Sequence, residues 1–528
     1  MTNPTLESAK LLGFPAKLLF HTLSTTAASH IKAQARDRWS EHYHVTSRQE
    51  PPSFKPWCFL ARLVRVAVDA GSERSNLSRD PVRGTASHRP PGDVELPHTL
   101  ALSGDQGWHI PLLTGNPLAR QPQPSFEDES VSFFVQEHCV NPGPGVFRGH
   151  LDFLPDMYRS SSNDSCLRPA LLAAAYISLS RHYKSSTLYV TARNHYGAAL
   201  RAVNRDLSAK SNTLKDETLV SLMFLGMIED IDCQGSSAKA VHMLGISKLY
   251  QVLGHRLIAN VEASNLNGWI FTELQIPSLH SEETLDCLTL PDATVASSNP
   301  AIHVAAIVAR IGQFYRAAKQ ITSATNATSS SEKRPLLISA MQQAMGISGE
   351  LAKFSGTLPS EWKPKETTDK RQTNQRDRPL VTYTSRWTAS VCSRFNITLV
   401  LFFYRFSSCC RALAQLDRES GTATPETELA QNYSSVADAQ LKRLTHLVCI
   451  SMPYLMGEVD EHGNALDVPD HKGAIMYHLV WPLGIIMASP ASTNQQIEDC
   501  RARLNWIKDQ YGIKLASAIP DLAKDLMA

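Results

Sequence analysis

Between residues 167 and 232 three segments with helical apolar spacing follow one another across short polar breaks, and no other stretch constrains the chain as much. Leu167 to Tyr183 is Ala-rich and apolar nearly all round, which marks a buried helix. In Leu188 to Leu207, the residues Leu188, Ala192, Tyr196, Ala199, Leu200, Val203 and Leu207 recur at three- and four-residue steps and so share one face. Arg193, Arg201 and Arg205 fall outside that stripe. A third helix is expected from Thr213, a capping hydroxyl, with Asp216 in the place a capping box gives to Glu or Gln. It buries Leu219, Leu222, Met223, Leu225 and Ile228.

The same period recurs downstream. Helices are predicted over Ala238 to Gly254, Asn265 to Ile276, Ile302 to Ile321, Pro335 to Leu358, Trp387 to Arg411 and Ser434 to Met452. Thr322 to Lys333 and Gly457 to Gly473 read as loops, and Ser360 to Pro379 as a charged, exposed connection. No run alternates at period two for long, so few strands are expected. The fold class predicted is all-α: stacked antiparallel helices in an array of helical hairpins, with a largely disordered N-terminal segment.

Two segments are expected, 1–124 and 125–528. The first holds thirteen of the thirty prolines, and Gly71 to Pro97 offers little to bury, which favours disorder apart from one or two short helices at Glu7 to Leu23 and Trp57 to Ala70. The net charge of +2 gives no global attraction to nucleic acid or membrane. The ten cysteines are scattered without a C-x2-C pair, and no secretory leader pattern opens the chain, so reduced thiols inside the cell are expected. The longest stretch without Asp, Glu, Lys or Arg, Gly473 to Ile497, contains Pro482 and Pro490 and reads as a buried helix with a break rather than a membrane span.

Phe133 and Phe134, the run Gly149 to Pro155, Leu167-Arg168, the run Tyr196 to Asn204, and Asp216 to Leu219 form a set of packing motifs. Together they resemble the regulatory domain of fungal Zn2Cys6 transcription factors. Trp387 to Arg411 looks like the family's Trp-led buried helix, and Met476 to Ile513 like its closing Trp-Pro-Leu helix and terminal helix. His242, Gly245 and Gly254 fit a further helix. The resemblance covers roughly residues 125–520 and implies a nuclear regulator of transcription, often of fungal secondary-metabolite genes. The family's zinc cluster, C-x2-C-x6-C with a second half beyond a linker, has no counterpart here: Cys58 is the only cysteine before Cys139. Residues 1–124 carry fourteen Lys and Arg against ten Asp and Glu, with no concentrated basic patch. The expectation is regulation through protein partners or a homodimer, with a small-molecule effector and with DNA contacted only indirectly or weakly. A truncated gene model of a full Zn2Cys6 DNA-binding factor is the alternative within the family.

Each group of chemistry-bearing residues also has a plainer role. Gly143, Gly145 and Gly149 have no preceding strand and the wrong spacing for a phosphate loop. His138, His150, His182 and His195 lie on different elements without ligand spacing, which favours structural or surface roles. Glu229, Asp230 and Asp232 at a helix end give the rival reading, an all-α enzyme of terpene-cyclase type holding magnesium and a diphosphate. That reading needs these carboxylates at a deep apolar cavity, whereas a regulator leaves them in solvent. Tyr176, Tyr183, Phe224, Phe402, Phe403, Tyr404 and Trp481 are candidate walls of an effector cavity, with plain core as the default. Arg168, Arg193 and Arg201 are candidates for a partner contact on otherwise solvated faces. No catalytic, cofactor-binding or metal-binding residue is assigned, and no membrane association is expected.

Overall fold

The computed structural model describes residues 125–140, 149–208, 215–232, 300–323, 330–371, 378–421 and 424–528. The helices expected at 238–254 and 265–276, the glycines at 143 and 145, and all of the segment 1–124 lie outside the described residues. Within them the fold is all-α apart from one two-stranded hairpin.

The N-terminal helices are α1 (Phe126–His138), α2 (Leu154–Ser160), α3 (Leu167–His182), α4 (Ser186–Ser208) and α5 (Asp216–Asp232). The Ser125 hydroxyl accepts from Asp128 N, and Asp128 answers with a carboxylate on Ser125 N, which fixes the start of α1. The α3 helix is buried on almost every side between α1, α4 and α5, as its all-round apolar sequence requires. Along α4 the stripe Ala192, Tyr196, Ala199, Val203 and Leu207 is buried, while Leu188 and Leu200 lie half-buried at its edges. The α5 helix begins at Asp216, and every residue from Thr218 to Asp232 is buried.

Then come α6 (Pro300–Ser323), α7 (Ser330–Thr357), a 3-10 turn (Ser360–Trp362), β1 (Lys365–Asp369), β2 (Arg378–Thr382), α8 (Arg386–Glu419), α9 (Pro425–Leu455), α10 (Gly473–Ala488), α11 (Asn494–Tyr511) and α12 (Leu515–Met527). The α8 helix is the central post, touching α6, α7, α9, α10 and α12. It is long and apolar enough to cross a membrane, but 78% of its most apolar window is packed inside the protein. It forms an antiparallel hairpin with α9, stapled near the turn and again further along. Near the turn, Asp417 accepts from Arg334 at 2.8 Å and from Thr427 at 2.6 Å; the Arg334 guanidinium holds its carboxyl below the usual range. Further along, Ser407 and Arg411 both donate to Asp438 at 2.7 Å.

The charged connection expected over Ser360 to Pro379 is built differently. Trp362 is buried, and β1 and β2 pair antiparallel from Lys365↔Thr382 to Asp369↔Arg378. Five-residue strands are too short to show an alternating pattern, and this pair is anchored by a distant segment. Lys370 N donates to Gly463 O, and the Thr382 hydroxyl to Glu461 O. Along 473–497 the break falls after Ala488, at Ser489 to Thr493, and Pro482 sits inside α10. Thr493 caps the helix that follows.

Candidate effector cleft and buried carboxylate hub

The three carboxylates at the acidic end of α5 are buried, and none of them lines the cleft described below. Glu229, Asp230 and Asp232 are 8%, 2% and 0% exposed, and each has partners. The Tyr196 hydroxyl donates to Glu229 at 2.6 Å, and that of Tyr477 donates to Asp230. Asp232 is the hub. It accepts from Arg181 at 2.7 Å, from the Tyr189 hydroxyl at 2.7 Å and from Lys514 at 3.0 Å, with Arg193 at 3.7 Å. Burial, and then the neighbouring carboxylates, push the Tyr196 and Tyr189 phenols upward, so both stay protonated donors. A buried carboxylate is tolerated only when paired in this way. The groups that the cyclase reading leaves open for magnesium are thus occupied as struts between helices. Among the described residues no group of three or more His, Cys, Asp or Glu is placed to hold a metal.

Arg193, expected on a solvated face, belongs to this hub, and its guanidinium also lies 4.7 Å over the Tyr196 ring. Arg168 lies 4.7 Å over Tyr158. Arg201 is exposed. Gly512 completes the hub's outer wall. It ends α11 in the left-handed region at φ 63°, and a Cβ there would come within 2.6–2.7 Å of the Arg181 side chain.

Beside the hub a cleft opens between the N-terminal and C-terminal helices. Its empty space, open mouth included, is about 800 Å3. Phe133, Glu137 and His138 of α1, with Ser178 and His182 of α3, form one wall; Tyr477, Trp506 and Tyr511 face them. Ile231 and Ile513 also line it. Among the described residues none of the seven aromatics singled out from the sequence lines this cleft. Phe224, Phe402 and Phe403 are core, Tyr176 stacks on His195 at 5.4 Å, and Tyr183 is 57% exposed. Tyr404 and Trp481 pack half-buried against the core. Trp506, Tyr511 and His471, which also lines the cleft, carry no local spacing that marks a site, because the opposite wall is contributed by α1 and α3, hundreds of positions away.

Two of the four histidines are brought together with a fifth ring partner. His150 lies 5.0 Å from His478 and 5.0 Å from Trp387, and His138 is close enough to His478 for their charges to interact. His138 is 6% exposed, its ring stacks on Phe134 at 4.5 Å, and its Nδ1 has no hydrogen-bond partner. Burial, and then His478, push its imidazole down to about 3, so it is neutral at any cellular pH. His182 packs on Phe133 at 5.1 Å.

No curated protein and no solved structure matches the chain. A family profile described as the fungal specific transcription factor domain matches residues 103–429, more than half of its length. The match takes in α1 to α8 and the first turn of α9, with the buried α3–α5 bundle and its three carboxylates, while their partners Tyr477 and Lys514 lie beyond it. The chain belongs to the fungal specific transcription factor domain family.

Proposed function

We propose that the protein is a nuclear regulator of transcription that works by binding rather than by catalysis. Membership of the family carries this reading. The carboxylates of the rival enzyme reading support it, because each is already committed to a tyrosine or a cation. The protein acts through its helical body and through protein partners, or a second copy of itself, that deliver it to DNA. The 528 residues of the chain carry no cysteines clustered as a zinc site needs, so the helical body is not itself a zinc-cluster reader of DNA. Its targets are a fungal secondary-metabolite gene set, as the resemblance in packing motifs implies. Deletion of the gene followed by transcript sequencing tests the reading. A coordinated change in such a set, with a fluorescent fusion of the chain in the nucleus, is the expected result. Unchanged transcripts, or a fusion excluded from the nucleus, would overturn it.

A further inference from the structure

We propose that the cleft between α1 and α11 binds a flat, uncharged aromatic molecule bearing a hydroxyl group, and that this molecule is the regulator's effector. The second half of the proposal rests on the regulatory reading above; the first half does not.

The size limits the ligand: the cavity itself holds about 200 Å3, room for a small molecule only. The walls select the shape. Phe133 on one side and Trp506 and Tyr511 on the other line the cleft with aromatic rings, and a ring ligand can pair with them in offset or edge contacts. The charges select against anions. Among the described residues no Lys or Arg lines the cleft, whereas the Glu137 carboxylate does. A carboxylate or phosphate ligand would lose its hydration with only the imidazoles of His182 and His471 to replace it.

The hydroxyl comes from His138. A buried polar atom without a partner costs free energy that a ligand can recover. The neutral imidazole offers an N–H in one tautomer and a lone pair in the other, and a hydroxyl answers either because it both donates and accepts. An ether or a carbonyl could only accept. The surroundings keep His138 in place: Phe134 stacks beneath it, and a Cβ on Gly473 would meet its ring at 3.2 Å, tighter than ordinary contact.

The position gives the ligand leverage. Ile231 and Ile513, both lining the cleft, immediately precede Asp232 and Lys514. Lys514 N donates to Ile231 O at 3.1 Å, so a molecule seated against these isoleucines presses on the tie between α5 and the closing helices.

Calorimetric titration of the full chain with 2-naphthol, 2-methylnaphthalene and 2-naphthoate near neutral pH is the test. Saturable binding of 2-naphthol is expected, with each comparator about ten times weaker or more. His138→Phe should erase the preference of 2-naphthol over 2-methylnaphthalene. Ser178→Trp and Gln510→Trp, which fill the cleft from a half-buried and an exposed position, should each abolish binding and leave the fold intact by circular dichroism. No saturable binding, 2-naphthoate binding as tightly as 2-naphthol, or unchanged binding in both tryptophan variants would overturn the site. Failure here with transcript changes intact in the deletion strain removes the effector cleft and leaves the regulator. Binding without any transcript change does the reverse.

Discussion

Lys514 and Asp232 stand 282 residues apart in the chain and 3.0 Å apart in the fold. The pair ties the start of the last helix to the end of α5, and Arg181, Arg193 and Tyr189 complete the shell around the same carboxylate. Asp232 itself is fully buried, while its three cations are 22%, 36% and 46% exposed along their side chains. The cations can turn to water if the carboxylate is lost, but the carboxylate cannot. Asp232→Asn should therefore cost about 2–3 kcal/mol, below the full cost of breaking a buried pair. Arg193→Ala should cost less than about 1 kcal/mol. Urea denaturation of both variants checks the asymmetry, and equal losses would contradict it.

Leu222→Asp should unfold the protein, since Leu222 is wholly buried in α5 and an unpaired charge there costs several kcal/mol. Leu200→Asp should be milder, because Leu200 sits half-buried at the edge of the α4 stripe. Arg201→Ala, on the exposed face, should melt as the parent does. Thermal denaturation ranks the three, and Leu200→Asp falling as far as Leu222→Asp would contradict the ranking.

Those three positions also mark how far the sequence could be read. Helical periods placed α3 to α5 and the long α8–α9 pair, because amphipathic spacing is local and every turn repeats it. Burial at the stripe's centre followed from that spacing; the half-burial of Leu200 at its margin did not. The hub and the cleft were not legible. Arg193 reads as a surface cation until Asp232 is brought under it, and Trp506 and Phe133 share a cleft only after the chain has folded back across its whole length. Partners so far apart leave no periodic trace.

The stability of the protein should fall on acidification through a window set in part by His138. Its folded-state value is lowered from 6.5 to about 3, so between these limits the unfolded chain binds the extra proton. Its contribution is complete above about pH 6.5, is lost as the pH falls, and amounts to roughly 4 kcal/mol by pH 3. His138→Phe, which keeps the stack on Phe134, should flatten this part of the profile. A variant whose pH dependence matches the parent would contradict it.

Cysteine labelling should separate one thiol from the rest. Burial pushes Cys166 up to about 11 and Cys139, Cys392, Cys409 and Cys410 up to about 12. Cys449 on α9 is half-buried and is lowered by a hydrogen bond from Cys500 of α11, which outweighs its burial. Iodoacetamide on the native protein, read by mass spectrometry, should mark Cys449 before the other six described cysteines. Equal early labelling of the buried Cys409 and Cys410 would contradict their place in the core.

The helical body is expected to regulate transcription without reading DNA itself. Tethering the chain to a heterologous DNA-binding domain upstream of a reporter tests this most directly. Reporter output should change several-fold on tethering, and the change should vanish with Leu222→Asp, which destroys the body. A tethered chain that is expressed and nuclear but leaves the reporter unchanged would contradict the claim.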